Sequence, residues 1–136
     1  MNSMIIAVAG GTGSGKSYLA KNLANTYPKK EILIIDDNAD IRNILDELIQ
    51  DAGYKTRLAA NFNQGLSEID KKLPDVAIID VKLDKGDNDG IQLLEHIKTK
   101  NTDIPVIIIS GHANIEMAIN SLRSGAFEFI QKPFDK

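Results

Sequence analysis

The sequence contains no cysteine and no tryptophan, and long hydrophobic runs are missing. The lack of cysteine excludes a disulfide framework and a thiolate metal site, and it is typical of proteins kept in a reducing cytosol. The apolar stretch nearest the beginning, MIIAVA, is followed at once by glycines and a lysine, so it is too short for a signal peptide or a membrane span. We therefore expect a soluble, cytoplasmic protein without a membrane partner.

Clusters of positive charge are also missing. No run of lysine or arginine exceeds two residues, and the formal net charge is -3, so a surface that neutralises the phosphates of DNA or RNA is not expected. The 136 residues amount to one domain, with an ordinary 43% of hydrophobic and 26% of charged residues. We predict one folded domain that does not bind nucleic acid.

What the sequence does contain is an alternation of short apolar runs with longer segments of helical periodicity. This pattern is typical of βα units built around a parallel sheet. It predicts an α/β fold of three layers with a doubly wound parallel sheet of six strands. The predicted strands are residues 5–9, 32–35, 56–59, 76–79, 106–109 and 127–130, and the predicted helices are residues 16–26, 39–52, 63–72, 90–100 and 115–124.

Polar side chains follow four of these predicted strands. Asp36 and Asp37 follow ILII, Asp80 follows VAII, Ser110 follows VIII, and Lys132 follows FEFIQ. Ligands of parallel sheets bind beyond the carboxyl ends of the strands, so we expect these side chains to converge. Clustered carboxylates repel unless a cation shares their site, and Mg²⁺ is a hard cation that prefers oxygen ligands.

Each of these residues also has an ordinary interpretation. Asp36 and Asp37 could cap the following helix, Asp80 could begin a loop, and Ser110 and Lys132 could lie on the surface. Their joint occurrence at four strand ends favours a functional site.

These residues carry a resemblance to a known family. Residues 31–136 resemble the receiver domain of bacterial two-component response regulators, and within it the nitrogen-regulation class of the NtrC and especially the NtrX type. The segment SGHANIEMAINSLRSGAFEFIQKPF resembles that class over its whole length. The distance from Asp80 to Asp89 and Gly90 is two residues longer than in most receivers, as it is in the NtrX type.

The resemblance implies a flavodoxin-like or CheY-like fold, with strand order 2-1-3-4-5, that serves phosphorelay signalling. Asp80 would be the nucleophile that takes a phosphoryl group from a histidine kinase or a small phosphodonor and forms an acyl phosphate. Mg²⁺ would be held by Asp37, Asp80 and the backbone carbonyl of Lys82, with Asp36 reaching it directly or through water.

The resemblance also assigns a switch. Lys132 would pair with the phosphoryl oxygens, and Ser110 would hydrogen-bond to one of them when the switch closes. Phe129, three residues before the lysine, matches the aromatic residue that turns inward in the active state. The bond between Lys132 and Pro133 is expected to be cis, as in the family.

Other residues near these positions have weaker assignments. Lys82 and His112, two residues after Asp80 and Ser110, flank the site where such residues tune the lifetime of the phosphoryl group. His112 could equally be plain loop surface. His96 lies on a predicted helix and is expected to face solvent without a partner.

Residues 1–30 carry a different motif. GGTGSGKS satisfies the pattern GxxxxGK[ST] of phosphate-binding loops. Backbone N–H groups and the helix N-terminus would cradle phosphate, Lys16 would reach it, and Ser17 would face Mg²⁺. The predicted phosphate-binding residues are Gly10, Gly11, Thr12, Gly13, Ser14, Gly15, Lys16 and Ser17. MIIAVAGGTGSGKSYLAKNLA resembles the first strand, loop and helix of uridine-kinase-like kinases, so phosphate, sulfate or ATP would be the ligand.

The two resemblances together suggest an engineered chimera. A receiver normally continues into a helix after KPF, and this sequence stops at Lys136. We expect the first strand to pair beside the last receiver strand and its helix to replace the missing one, which gives one continuous sheet of order 2-1-3-4-5-N. The alternatives are a separate appendage and a homodimer that exchanges its N-terminal units.

Three functions therefore remain open. The chain could be a receiver phosphorylated at Asp80, a nucleotide-binding or phosphate-binding protein that uses Lys16 and Ser17, or a fold without retained activity. In the predicted order two strands separate the phosphate-binding loop from VAIID, so kinase or NTPase catalysis is not expected. A phospho-acceptor with at most self-phosphorylation and self-dephosphorylation fits the residues better than an enzyme.

Overall fold

Strands and helices alternate along the chain in the computed structural model, which describes residues 31–111 and 115–132. These ranges contain five strands, which are β1 (Glu31–Ile35), β2 (Lys55–Ala59), β3 (Val76–Asp80), β4 (Val106–Ser110) and β5 (Glu128–Gln131). They also contain four helices, which are α1 (Ala39–Asp51), α2 (Phe62–Lys71), α3 (Asp89–Lys100) and α4 (Ile115–Arg123). Each element lies within two residues of the bounds predicted from periodicity.

The strands form one parallel sheet of order β2-β1-β3-β4-β5. This confirms the predicted fold class and the order of the five strands that the structure describes. The predicted sixth strand, residues 5–9, and the helix of residues 16–26 lie outside the described residues. Because all five strands are parallel, their carboxyl ends meet at one edge of the sheet.

The sheet is buried on both faces, which explains why its central strands are almost continuously apolar. Every residue of β3 and of β4 is buried. One core cluster lies on the side of α2, α3 and α4 and includes Leu33, Ile108 and Phe129. A second cluster lies on the side of α1 and includes Ile34 and Ile109.

Asparagine residues begin the first two helices. The side-chain oxygen of Asn38 accepts hydrogen bonds from the N–H groups of Asp40 and Ile41 at 2.8 and 3.2 Å. Asn61 caps α2 by accepting a hydrogen bond from the N–H of Gln64 at 2.8 Å. Neither Asp36 nor Asp37 is therefore the cap of α1, which was their alternative interpretation.

The prediction that His96 lacks a partner is wrong. Its Nε2 lies 2.8 Å from Oδ1 of Asp70, so the ring joins α3 to α2, and its side chain is only 32% exposed. The hydrogen bond from His96 holds the pKa of Asp70 below its ordinary value. The two residues are 26 positions apart, on different helices, and only the packing of α2 against α3 brings them together.

None of the helices that the structure describes is long and apolar enough to cross a bilayer.

Candidate functional site

The polar residues that end β3 and β4, and those that follow β1 and β5, lie at the carboxyl end of the sheet. Asp36 comes directly after β1, Asp80 and Ser110 are the last residues of β3 and β4, and Lys132 comes directly after β5. The N–H of Lys132 donates to the carbonyl of Ser110 at 2.8 Å, which keeps the end of β5 beside β4. The structure therefore places these four residues and the adjacent Asp37 at one edge of the sheet.

Three carboxylates form the centre of this site. Asp36, Asp37 and Asp80 each offer an oxygen, and these oxygens all lie within 4.8 Å of one another. Asp36 is fully buried and Asp80 is 5% exposed, whereas Asp37 is open to solvent. Three clustered carboxylate oxygens on a partly open site fit a hard divalent cation such as Mg²⁺.

Lys132 is the positive charge within this cluster. Its Nζ lies 2.9 Å from Oδ2 of Asp36 and 3.1 Å from Oδ2 of Asp80. Burial by itself lowers the pKa of Lys132, but the hydrogen bonds and charges of Asp36 and Asp80 outweigh it and raise that pKa above its ordinary value. The ammonium group therefore stays protonated and balances part of the negative charge.

One ammonium does not balance three carboxylates. Burial, followed by the negative charge of Asp36, raises the pKa of Asp80 to about 6 in spite of Lys132, and Asp37 contributes in the same direction. The ionised form of Asp80 is thus destabilised by its surroundings, and a bound cation would relieve that destabilisation. The electrostatics of the site agree with the donor chemistry in favouring a cation here.

Hydrogen bonds hold the loop between β3 and α3 and join the start of α3 to Val81, the residue after Asp80. Asp89 is 3% exposed, and its Oδ2 accepts hydrogen bonds from the N–H groups of Lys85 and Gly86 at 2.8 and 3.0 Å. Gly90 donates its N–H to the carbonyl of Val81 at 2.8 Å. Sequence reasoning used Asp89 and Gly90 only as spacing markers, although an acidic residue followed by glycine before a helix was a signal for such a role.

Ser110 and Phe129 lie on the face covered by α2, α3 and α4. Ser110 is 2% exposed, and its Oγ lies 3.5 Å from Sδ of Met117 on α4. Phe129 is 6% exposed and belongs to the core cluster against which Met117 packs. Met117 is a neighbour of the site that sequence reasoning missed, because a methionine on an amphipathic helix is ordinarily a core residue.

The remaining predicted residues are less closely tied to the carboxylates. The side chain of Lys82 is 68% exposed, and its Nζ lies 3.8 Å from Oδ1 of Asp87. His112 and Pro133 lie outside the described residues, and so does the phosphate-binding loop of residues 10–17.

Known proteins resemble this chain over the same part that forms the sheet. The family model of the response regulator receiver domain matches residues 32–136. A putative NtrX-like response regulator of Rickettsia bellii is 42% identical over 105 residues, which are 77% of this chain and 22% of that protein. The nitrogen assimilation regulatory protein NtrX of Azorhizobium caulinodans is 39% identical over 105 residues, which are 77% of this chain and 23% of that protein.

A solved structure agrees with the sequence matches. The crystal structure of the receiver domain of NtrX from Brucella abortus superimposes with a TM-score of 0.69 at 39% sequence identity, covering 76% of this chain and 87% of that one. The chain spans less than a quarter of the length of the two curated relatives named above. Its sheet order, its acidic edge and these matches lead to one conclusion, which is that the chain belongs to the response regulator receiver domain family.

Proposed function

We propose that this chain is a magnesium-dependent phospho-acceptor of a two-component phosphorelay, and that Asp80 receives the phosphoryl group. The observation that carries the proposal is the clustering of the oxygens of Asp36, Asp37 and Asp80 within 4.8 Å, with Lys132 bonded to two of these residues. The donor would be the phosphohistidine of a histidine kinase or a small acyl phosphate. The NtrX-like relatives support this class of partner.

The transfer would be a nucleophilic displacement at phosphorus. A carboxylate oxygen of Asp80 forms the new P–O bond, the bond from phosphorus to the donor breaks, and the leaving group keeps the electron pair of that bond. The product is a mixed anhydride on Asp80. Its raised pKa of about 6 still leaves this carboxylate largely ionised near pH 7, so the nucleophile is in its reactive form.

The neighbours of Asp80 would bind the transferred group. The Nζ of Lys132 is 3.1 Å from Oδ2 of Asp80, so it is placed to contact the oxygens of a phosphoryl group on that carboxylate. Ser110, buried beside Met117, would donate a hydrogen bond to another phosphoryl oxygen. Asp36, Asp37, Asp80 and the carbonyl of Lys82 would hold Mg²⁺, which supplies charge stabilisation to the phosphoryl oxygens.

Asp80→Asn is expected to abolish phosphorylation, because an amide oxygen cannot form the acyl phosphate. The parent, incubated with acetyl phosphate and MgCl₂, should gain the mass of one phosphoryl group by intact-protein mass spectrometry, and the gain should disappear with EDTA. Asp87→Asn changes a carboxylate that is 85% exposed in the same loop, so it is the matched control and should behave as the parent does. A parent that gains no mass, or an Asp80→Asn variant that does, would refute the proposal.

We also infer a second ligand, a phosphate or nucleotide phosphate bound by residues 10–17. The supporting observation is the complete GxxxxGK[ST] motif, in a part of the chain that the receiver-family match does not include. That difference also supports the inference that the chain joins units of two families. Hydrolysis or transfer of the nucleotide phosphate is not part of this proposal.

Isothermal titration calorimetry with ATP and Mg²⁺ checks this second ligand. Heat of binding is expected for the parent, and Lys16→Ala should weaken binding by at least about tenfold, because the lysine supplies a charge-assisted contact to phosphate. The absence of heat at millimolar ATP, or equal binding by the variant, would end the proposal.

A further inference from the structure

The last strand of the described sheet is too well buried to be an open edge. Among the described strands, β5 pairs only with β4. An edge strand in contact with water exposes its unpaired N–H and C=O groups along one side. Glu128 and Ile130 are nevertheless only 1% exposed and Phe129 only 6%. These fractions include the backbone, so the free side of β5 is not open to water.

The adjoining part of one sheet face is covered in the same way. The register pairs Ile107 with Glu128 and Ile109 with Ile130, so these four residues point to the face on which α1 lies. Helix α1 packs against β1 and β2, at the other end of the sheet order. Ile107 and Ile109 are nevertheless fully buried. Helix α1 lies mainly over β1 and β2, and α2, α3 and α4 pack on the opposite face, so a further segment is expected to complete the cover of Ile107 and Ile109.

The side chain of Glu128 needs a hydrogen-bond donor at this surface. Its Oε1 is buried and has no hydrogen-bond partner among the residues that the structure describes. A buried carboxylate oxygen without a donor is unfavourable, because it has lost its hydrogen bonds to water and gained none in return. The segment that covers Glu128 is therefore expected to bring a hydrogen-bond donor as well as apolar side chains.

We propose that residues 1–30 of this chain are that segment, with residues 5–9 paired along β5 and residues 16–26 lying over Ile107, Ile109 and Ile130. The run IIAVA suits a strand buried on both faces. In the helical stretch, Leu19, Ala20, Leu23 and Ala24 share one side, which would face Ile107, Ile109 and Ile130.

Topology selects the same face. If the added strand lies beyond β5, the connection from it to β1 runs across the sheet toward β2. The connection from β1 to β2 runs in the same direction. Right-handed crossovers therefore place both connecting helices on one face, which is the face of α1. From Thr26 to Glu31 the chain can reach at most about 17 Å. This exceeds the two strand spacings, roughly 10 Å, that separate β4 from β1, and the three spacings, roughly 14 Å, that separate β5 from β1.

Disulfide trapping tests the proposal in the full chain, which has no cysteine of its own. Ile130→Cys is combined in turn with Ile5→Cys, Ile6→Cys, Ala7→Cys, Val8→Cys and Ala9→Cys, and each double variant is oxidised mildly. Neighbouring strands bring Cα atoms within the 4.4–6.8 Å typical of disulfides. At least one pair is expected to form an intramolecular disulfide in the monomer, seen by mass and by non-reducing electrophoresis.

Leu58→Cys provides the matched control, because Leu58 lies on β2, the opposite outer strand of the described sheet, and is partly exposed. The same five partners should not trap with it. Failure of all five pairs with Ile130→Cys, equal trapping with Leu58→Cys, or disulfides found only between two chains would overturn the proposal. The last outcome would assign the surface to a second copy of the chain. None of these readouts depends on phosphorylation, so they are independent of the proposed function.

Discussion

Gly90→Ala is expected to destabilise the fold by about 3 kcal/mol or more, which is large for the addition of one methyl group. A Cβ at this position would overlap the carbonyl oxygen of Asp80 and would lie 2.7 Å from the Cα of Val81. Both contacts are with backbone atoms, so no side chain can rotate away to relieve them. Helix propensity alone would favour alanine by about 1 kcal/mol, and the steric cost outweighs that gain.

Urea denaturation monitored by circular dichroism measures this effect. Gly86→Ala is the matched control, because it adds the same methyl group four residues earlier, in the loop before α3, where the nearest atom, Oδ1 of Asp89, would be 3.8 Å away. Its free energy of unfolding should stay within about 0.5 kcal/mol of the parent. If the two variants unfold at the same urea concentration, the close approach of Gly90 to Asp80 is not a feature of the protein in solution.

Asp80→Asn is expected to stabilise the metal-free protein by up to about 3 kcal/mol at pH 8. The pKa of Asp80 rises from 3.8 in the unfolded chain to about 6 in the fold, and each pKa unit corresponds to about 1.4 kcal/mol. Because the folded pKa is raised, the folded state binds more protons between these two values. The penalty of ionised Asp80 is therefore complete above about pH 6 and disappears as the pH falls toward 3.8, and the advantage of the asparagine disappears with it.

Chemical denaturation in EDTA at pH 8 and at pH 4.5 tests this sign. Asp51→Asn removes an exposed carboxylate from the end of α1, and we expect it to change stability by less than about 1 kcal/mol at both pH values. Adding Mg²⁺ at pH 8 should stabilise the parent more than the Asp80→Asn variant, because the ion uses the charge that the variant lacks. An Asp80→Asn variant that is less stable than the parent in EDTA at pH 8 would contradict the electrostatics described for the site.

The fold and the acidic edge could be predicted from the sequence because their signals are local. Each buried strand is one apolar run, and the position just after such a run lies at the carboxyl edge of a parallel sheet. That reasoning places Asp36, Asp80, Ser110 and Lys132 together, and the structure brings them together. Strand order needed more than local signals, and it came from the resemblance to receivers.

What could not be predicted depends on which elements pack against each other. The contact between His96 and Asp70 exists only because α2 lies beside α3, and no spacing within either helix reveals it. The burial of Glu128 is hidden in the same way, because a glutamate within the run FEFIQ indicates an exposed position until the neighbours of β5 are known. Gly90 looks like an ordinary residue of a helix start until its distance to the backbone of Asp80 is measured.

The covered edge of β5 has a consequence for the order in which the molecule assembles. If residues 5–9 occupy that edge, the first strand of the chain can be placed only after the last one has joined the sheet. Contacts between such distant parts of a sequence form slowly, because the long loop between them must close before they give any stabilisation. During that interval β5 presents free backbone groups that the same strand of another molecule could bind. Folding at low protein concentration should therefore favour the closed monomer, and crowded refolding should favour exchanged dimers.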